Sequence, residues 1–379
     1  MMYNKELRKA IFSARKVRPV TAYLVLEDGS VYEGTAHGAF KETVCEVVFN
    51  TSMTGYLEIL TDPSYAGQGV VMTYPMIGNY GINREDFESC RLQPSAFIVR
   101  ELSDIPSNFR STDCLENILI EYGVPCLSDV DTRSIVKRLR ESGTMRGVLT
   151  ADISDMHRLA ESIKSFHHVG LVESVSVDKP VIFGEGNTGA KVALLDCGTK
   201  YNIARSLVAR GCIVTQFPCG TNADDIINGG FDGLMLSNGP GDPADCRGII
   251  AEVRRLYDFG MPTFAICLGH QLMALATGGT TTRMKYGHRG ANHPVKFLNE
   301  DRTYLSSQNH GYMVCPDGLP ANAEVNCINV NDKTVEGIAY GGKPLFTVQF
   351  HPEASPGPHD TSFLFDKFIK MIGEGRFDG

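Results

Sequence analysis

Cys267 stands in the run Pro262-Thr263-Phe264-Ala265-Ile266-Cys267-Leu268-Gly269-His270-Gln271, which pairs a nucleophilic side chain with the signature of a sharp turn. Thr263 to Ile266 reads as a short buried strand. Leu268 to Thr277 reads as a helix ended by Gly278-Gly279. The cysteine falls on the turn between them, and the small residues Ala265 and Gly269 let the backbone reverse without clash. This is the layout of a nucleophile elbow. The thiol also sits at a helix N-terminus, where unpaired amides and the helix dipole favour an anion. The alternative is a buried core cysteine, the commoner fate of a free thiol.

A thiol nucleophile needs a base that manages its proton and later supplies one to the leaving group. Of the ten histidines, His351 in Thr347-Val348-Gln349-Phe350-His351-Pro352-Glu353 is the best placed, at the end of an apolar strand. Residues two apart in extended backbone share a side, so Glu353 can orient His351 and complete a Cys-His-Glu set. A solvated His and Glu in a turn after the strand is the alternative. Attack on an amide carbonyl creates an oxyanion that needs fixed donors. The Leu268 amide, first in the helix, is one. Gly239 in Ser237-Asn238-Gly239-Pro240-Gly241-Asp242 can supply the second, because glycine lets backbone approach a substrate closely. Otherwise that stretch is a Gly-Pro turn.

Three other readings are weaker. The Gly239 loop lacks the Lys and Ser/Thr that follow in a phosphate loop. Gly184-Glu185-Gly186-Asn187-Thr188-Gly189 matches the dinucleotide fingerprint, yet it precedes a strand where a phosphate-binding turn must follow one, and it reads as an interdomain loop. A zinc site built from Cys267, His270, His288 or His293 lacks compact ligand spacing, so no metal site is expected.

The elements that position these residues form a regular series from residue 191. Strands at 191–195, 212–217, 233–236 and 263–266 alternate with helices at 202–210, about 222–228 and 247–258. Short apolar strands between amphipathic helices predict a mostly parallel sheet covered on both faces. Active sites in such sheets lie beyond the carboxyl ends of the strands, where Cys267 and the Gly239 loop both fall. Residues 21–155 read as a mixed α/β domain without that alternation. Its cues include strands at 22–26, 44–49 and 69–74, a hairpin turn at Asp28-Gly29 and a helix at 132–141 capped by Asp131. A helix at 156–166 opens a linker over 156–190, and residues 191–379 form the second α/β domain.

The bulk numbers agree with two soluble domains: 379 residues, 42% hydrophobic and 21% charged. A net charge of −8 argues against a nucleic-acid surface. No apolar run approaches the ~18 residues that span a bilayer. Eleven cysteines, without a close C-x-x-C pair, point to a reducing cytoplasm rather than a disulfide framework. Residues 1–20 are basic (Lys5, Arg8, Lys9, Arg15, Lys16, Arg18) and read as a solvated N-terminal arm; a mitochondrial transit peptide is the alternative.

Gly-Pro-Gly, then the Cys-Leu-Gly-His-Gln elbow, then His-Pro-Glu resemble, in that order, the class I (triad) glutamine amidotransferases. That pattern usually has Gly two residues before the cysteine; here it is Ala265. Phe49-Asn50-Thr51-Ser52-Met53-Thr54-Gly55-Tyr56, Glu58-Ile59-Leu60-Thr61-Asp62-Pro63-Ser64-Tyr65, Asn309-His310-Gly311-Tyr312 and His351-Pro352-Glu353-Ala354-Ser355-Pro356-Gly357-Pro358-His359-Asp360 narrow the resemblance to the family of carbamoyl phosphate synthetase small subunits. It extends from about residue 21 to the C-terminus. The resemblance implies Cys267 as nucleophile, His351 as base and Glu353 as its orienter, with the Gly239 and Leu268 amides as the oxyanion hole. It also implies that Ser52, Gly241, Gln271, Asn309, Gly311 and Tyr312 hold the amino-acid end of L-glutamine, alongside Gly239 and Leu268. Ammonia released through a γ-glutamyl thioester would pass to a large ATP-binding partner subunit, which uses MgATP and bicarbonate to make carbamoyl phosphate for arginine and pyrimidine synthesis. The small chain itself would hold no cofactor. Two rivals are a stand-alone γ-glutamyl hydrolase and a catalytically silent regulatory subunit.

Overall fold

A computed structural model describes residues 20–374 of the chain. The basic arm, apart from Val20, lies outside the described residues. The chain divides into two compact units, one of residues up to Leu60 together with Gly67–His167, the other of Thr61–Ala66 together with residues from His168 onward.

The first unit is built on strands β1 (Val20–Leu26), β2 (Val31–Gly38), β3 (Thr43–Asn50), β4 (Gln68–Met72), β5 (Met76–Ile77), β6 (Ala96–Ile98), β7 (Glu101–Leu102), β8 (Pro125–Ser128) and β9 (Met145–Thr150). Seven of them close a barrel in the order β1-β2-β8-β6-β4-β3-β9, while β5 and β7 pair separately. Closure removes the free edges that an open sheet of this size would present. The expected hairpin is present: β1 and β2 pair antiparallel across Asp28-Gly29, and Gly29 takes φ 85°, which only glycine adopts freely. Ala22, Leu24 and Leu26 are buried along one side of β1. Val25, on its other side, packs with Val148, Leu159 and Ile163, so the helix Met156–Ser165 covers an outer face of the barrel. Helix Thr132–Ser142 starts where expected, with Asp131 accepting from the Ser134 amide at 2.9 Å.

The second unit holds β10 (Val181–Phe183), β11 (Lys191–Asp196), β12 (Ile213–Pro218), β13 (Gly233–Leu236), β14 (Thr263–Ile266), β15 (Thr281–Phe297), β16 (Arg302–Val314), β17 (Ala323–Asn329), β18 (Val335–Tyr340) and β19 (Leu345–Val348). They form one ten-stranded sheet in the order β10-β12-β11-β13-β14-β19-β18-β17-β15-β16. The strands β12-β11-β13-β14-β19 are parallel, and the rest of the sheet pairs antiparallel. Side chains alternate between two cores, as the pleat requires. Ala193, Leu195, Leu236 and Ala265 face the helices Arg247–Phe259 and Leu268–Ala276. Val192, Leu194, Phe264 and Ile266 face the helices Tyr201–Val208 and Phe363–Glu374. Phe264 shows how tightly the second core is filled: its ring stacks on Phe346 at 4.4 Å and meets Phe365 edge-on at 5.7 Å. The fold is therefore α/β, with an N-terminal mixed α/β unit and a mainly parallel central sheet flanked by helices.

Residues 156–190, expected as a linker, are shared between the units. The helix Met156–Ser165 counts with the barrel, whereas Leu171–Val175 is a short helix and β10 an edge strand of the second unit. Among the described residues, no helix is long and apolar enough to cross a membrane.

Candidate active site

The turn at Cys267 is as sharp as its flanks predict. Cys267 takes φ 53° and ψ −102° between β14 and the helix Leu268–Ala276, a conformation that costs a residue with a Cβ of the order of 1–3 kcal/mol and persists only where its surroundings enforce it. They do so here: its amide donates to Val348 O at 2.8 Å and its carbonyl accepts from the Gln271 amide. Gly269 is needed for the same turn, because a Cβ there would lie 2.6 Å from Leu236 O. The Cys267 thiol donates to Asn309 O at 3.6 Å.

His351 and Glu353 follow β19 and are fully buried in the same unit. The His351 Nδ1 donates to Glu353 Oε1 at 2.6 Å, which leaves Nε2 without a hydrogen-bond partner. Burial works against the charged ring, but the Glu353 carboxylate and the Cys267 thiol outweigh it and push the His351 pKa up to about 10. Burial likewise opposes the Glu353 carboxylate, yet Lys200 and His351 pull its pKa down to about 2.

Lys200 has no counterpart in the sequence reading. It is buried, and its Nζ lies 3.0 Å from Glu353 Oε1 while donating to Ala354 O. A turn after β11 delivers it there: Asp196 Oδ1 accepts from the Gly198 and Thr199 amides at 2.9 and 2.7 Å, and Asn238 Oδ1 accepts from the Lys200 amide at 3.1 Å. The signal available in the sequence was its place just past the carboxyl end of a parallel strand, where Cys267 also sits. Asn202 Nδ2 donates to Glu353 O, and Ala354 takes φ 56°. The acid is thus held from its side chain, its own backbone and the residue beyond it.

Gly239 lies in the loop that follows β13, and a Cβ on it would meet Cys197 O at 2.1 Å and Leu268 Cδ2 at 2.7 Å. Only glycine fits that approach of its backbone to Leu268. Gln271, one turn into the helix, donates from Nε2 to Tyr312 O at 2.9 Å and to Gln349 Oε1 at 3.0 Å. Asn309, Gly311 and Tyr312 all lie on β16. Asn309 Nδ2 donates to Asp62 Oδ2 at 2.8 Å, and Asn238 Nδ2 donates to Ser64 Oγ at 2.9 Å. Asp62 and Ser64 come from the short Thr61–Ala66 segment that counts with the second unit. Asp62, to which the sequence alone assigns no role, caps a turn over Pro63–Tyr65 by accepting from the Ser64 amide. Gly241, with φ 89°, follows in the Gly239 loop. Ser52 belongs to the first unit, just past β3, where its amide donates to Asn50 Oδ1 at 2.7 Å and its Oγ is buried without a partner. His270 Nδ1 meets Thr347 Oγ1 at 2.7 Å, and burial pulls the His270 pKa down to about 3.

Residues 193–371 match the family described as Glutamine amidotransferase class-I, so the second unit is of that class. Residues 24–149 match Carbamoyl-phosphate synthase small chain, CPSase domain. The chain is 49% identical over 350 residues to the carbamoyl phosphate synthase small chain of Clostridium perfringens, covering 92% of this chain and 99% of that one. It is 46% identical over 357 residues to the small chain of Methanocaldococcus jannaschii, covering 92% and 98%. With that of Fusobacterium nucleatum it shares 48% over 351 residues, covering 92% and 97%. The chain belongs to the carbamoyl phosphate synthase small chain family.

Proposed function

We propose that the chain is the glutamine-hydrolysing subunit of a carbamoyl phosphate synthase and that Cys267, His351 and Glu353 carry the hydrolysis. The observation that supports this best is the strained turn at Cys267 in one unit with a buried His351–Glu353 pair. The Cys267 sulfur attacks the side-chain amide carbon of L-glutamine, and the amides of Gly239 and Leu268 receive the charge that develops on its oxygen. The proton shared by Cys267 and His351, carried on His351 Nε2 as the sulfur attacks, goes to the departing nitrogen as the carbon–nitrogen bond breaks. A γ-glutamyl thioester remains. His351 then takes a proton from water as its oxygen attacks the thioester, glutamate leaves, and the starting charges are restored. Glu353 orients the ring and offsets its charge. Ser52, Gly241, Gln271, Asn309, Gly311 and Tyr312 are assigned to the amino-acid end of glutamine.

The ammonia is assigned to a large, ATP-binding partner subunit, which consumes MgATP and bicarbonate to make carbamoyl phosphate. On this reading the small chain contributes no cofactor to the reaction and works in the cytoplasm. The test is a pull-down from the source cell with glutaminase assays, with and without MgATP and bicarbonate. Recovery of a large ATP-binding partner and stimulation by its substrates are expected, as is loss of glutaminase activity in Cys267→Ala. Unchanged activity in Cys267→Ala would overturn the mechanism. Preference for γ-glutamyl peptides with no partner recovered would replace the subunit with a stand-alone hydrolase.

A further inference from the structure

Beyond the candidate active site, the antiparallel end of the second unit's sheet buries a cluster of ionisable side chains with no assigned task. His288 on β15 and His310 on β16 are direct cross-strand partners, with register shifts in the β15–β16 pairing on both sides of His288. Such irregularities re-aim side chains. The two rings meet edge-on at 5.0 Å. Glu336, on β18, joins them, and one donor atom from each of the three lies within 4.8 Å of the others. Exposure is 6%, 5% and 0% for His288, His310 and Glu336, so solvent cannot satisfy whatever the protein leaves unpaired.

Two contacts there are unsatisfied in a way that points to a cation. His288 Nδ1 is buried without a hydrogen-bond partner and stands 3.6 Å from Glu336 Oε1. That gap is too long for a hydrogen bond and close to the separation of two ligands on one tetrahedral ion with bonds of about 2.0 Å. His310 faces oxygen on both sides, Tyr312 O at 2.7 Å from Nδ1 and Gln308 Oε1 at 2.8 Å from Nε2. A neutral imidazole can donate to only one of them. Turning the Gln308 amide over does not help, because its Nε2 already donates to Glu336 Oε2 at 2.9 Å. A proton or a metal ion resolves two lone pairs in opposition; a metal would in addition give the unpartnered His288 nitrogen a partner.

We propose that His288 Nδ1, His310 Nε2 and Glu336 Oε1 bind one divalent cation of the zinc class, with Gln308 Oε1 as the oxygen nearest a fourth position. Two nitrogens and a carboxylate oxygen suit such an ion better than a hard cation, which takes an all-oxygen set. The outer contacts are those such a site needs. His288 Nε2 meets Asp332 Oδ2 at 2.8 Å, so its donation there leaves Nδ1 free to ligate, and His310 Nδ1 can donate to Tyr312 O while Nε2 ligates. Asn329 Nδ2 holds Glu336 Oε1 at 3.0 Å. The ion would tie together three strands, one of which carries Asn309, Gly311 and Tyr312.

The test is equilibrium titration of the metal-depleted full chain with Zn²⁺ alone and Co²⁺ alone, read by bound metal, the visible cobalt spectrum and the thermal midpoint. One ion per chain is expected, with a cobalt spectrum free of thiolate bands and a midpoint that rises with metal. Uptake should vanish in His288→Asn and in Glu336→Gln and persist in Cys267→Ser, which separates this site from capture by the elbow thiol. Asp332→Asn, at a half-exposed position that leaves the core intact, should weaken binding about 10–100-fold. No uptake by the metal-depleted parent chain would overturn the proposal. So would uptake lost only in Cys267→Ser, or affinity unchanged in Asp332→Asn.

Discussion

At the scale of the residue, the site depends on charges buried in register. The Glu353 pKa lies at about 2, below its ordinary 4.5, so its ionised form stabilises the fold above about pH 4.5 and that contribution is lost as pH falls towards 2. The His351 pKa lies at about 10, above its ordinary 6.5, so its contribution is complete below about pH 6.5 and is lost as pH rises through 10. Both are present together between those ordinary values. Lys200→Met withdraws the cation that does most to lower the Glu353 pKa. The acid edge of a urea-midpoint-versus-pH profile should therefore move to higher pH, and removing one partner of a buried pair should cost about 3–5 kcal/mol. An acid edge that stays in place would show that Lys200 does not hold Glu353 ionised. Asp62→Ala leaves the Asn309 amide buried without its acceptor. If Asn309 serves glutamine binding, steady-state kinetics should show a KM raised roughly tenfold with kcat little changed; equal losses in both would place Asp62 in the chemical step instead.

At the scale of the element, the elbow works because neighbouring backbone leaves no room for anything but glycine. Gly239→Ala puts a methyl group onto Cys197 O and the Leu268 side chain. The Gly239 amide must shift, and kcat for glutamine hydrolysis should fall about 10²–10³-fold, as when an oxyanion donor is lost. A variant with normal kcat would remove Gly239 from that role. These tight turns were legible in the sequence because they rest on local chemistry: small residues around Cys267, and apolar strands at 191, 212, 233 and 263 separated by amphipathic helices. The barrel was not, because its order β1-β2-β8-β6-β4-β3-β9 joins strands far apart in the chain, which no local pattern records. Lys200 and Asp62 were missed for a different reason. Their partners, Glu353 and Asn309, lie far along the chain, and no local spacing records the meeting. His288 was weighed with other partners, and its meeting with His310 and Glu336 escaped in the same way, since three strands contribute one side chain each and compact spacing never arises.

At the scale of the whole molecule, the two family matches leave residues 150–192 between them, a stretch that contains the linker expected over 156–190. Its helix Met156–Ser165 supports the barrel, and its later part is built into the second unit. There Val181–Phe183 pair antiparallel with Val214–Gln216 along the rim of the sheet, and Asn187 Nδ2 donates to Val208 O and Cys212 O, both at 2.9 Å. Without β10, the outermost strand would be β12, in which Val214 and Gln216 are buried and no charge interrupts Ile213–Pro218. A naked, uncharged rim of that kind invites a second chain to add itself by backbone pairing. A second unit truncated to begin at Lys191 should therefore self-associate, as read by light scattering against concentration, whereas one that begins at Val177 should stay dispersed. If both behave alike, the rim is guarded by something else. The later part of the connection thus closes the rim of the second unit's sheet, shielding an adhesive margin that residues from Lys191 onward would leave open.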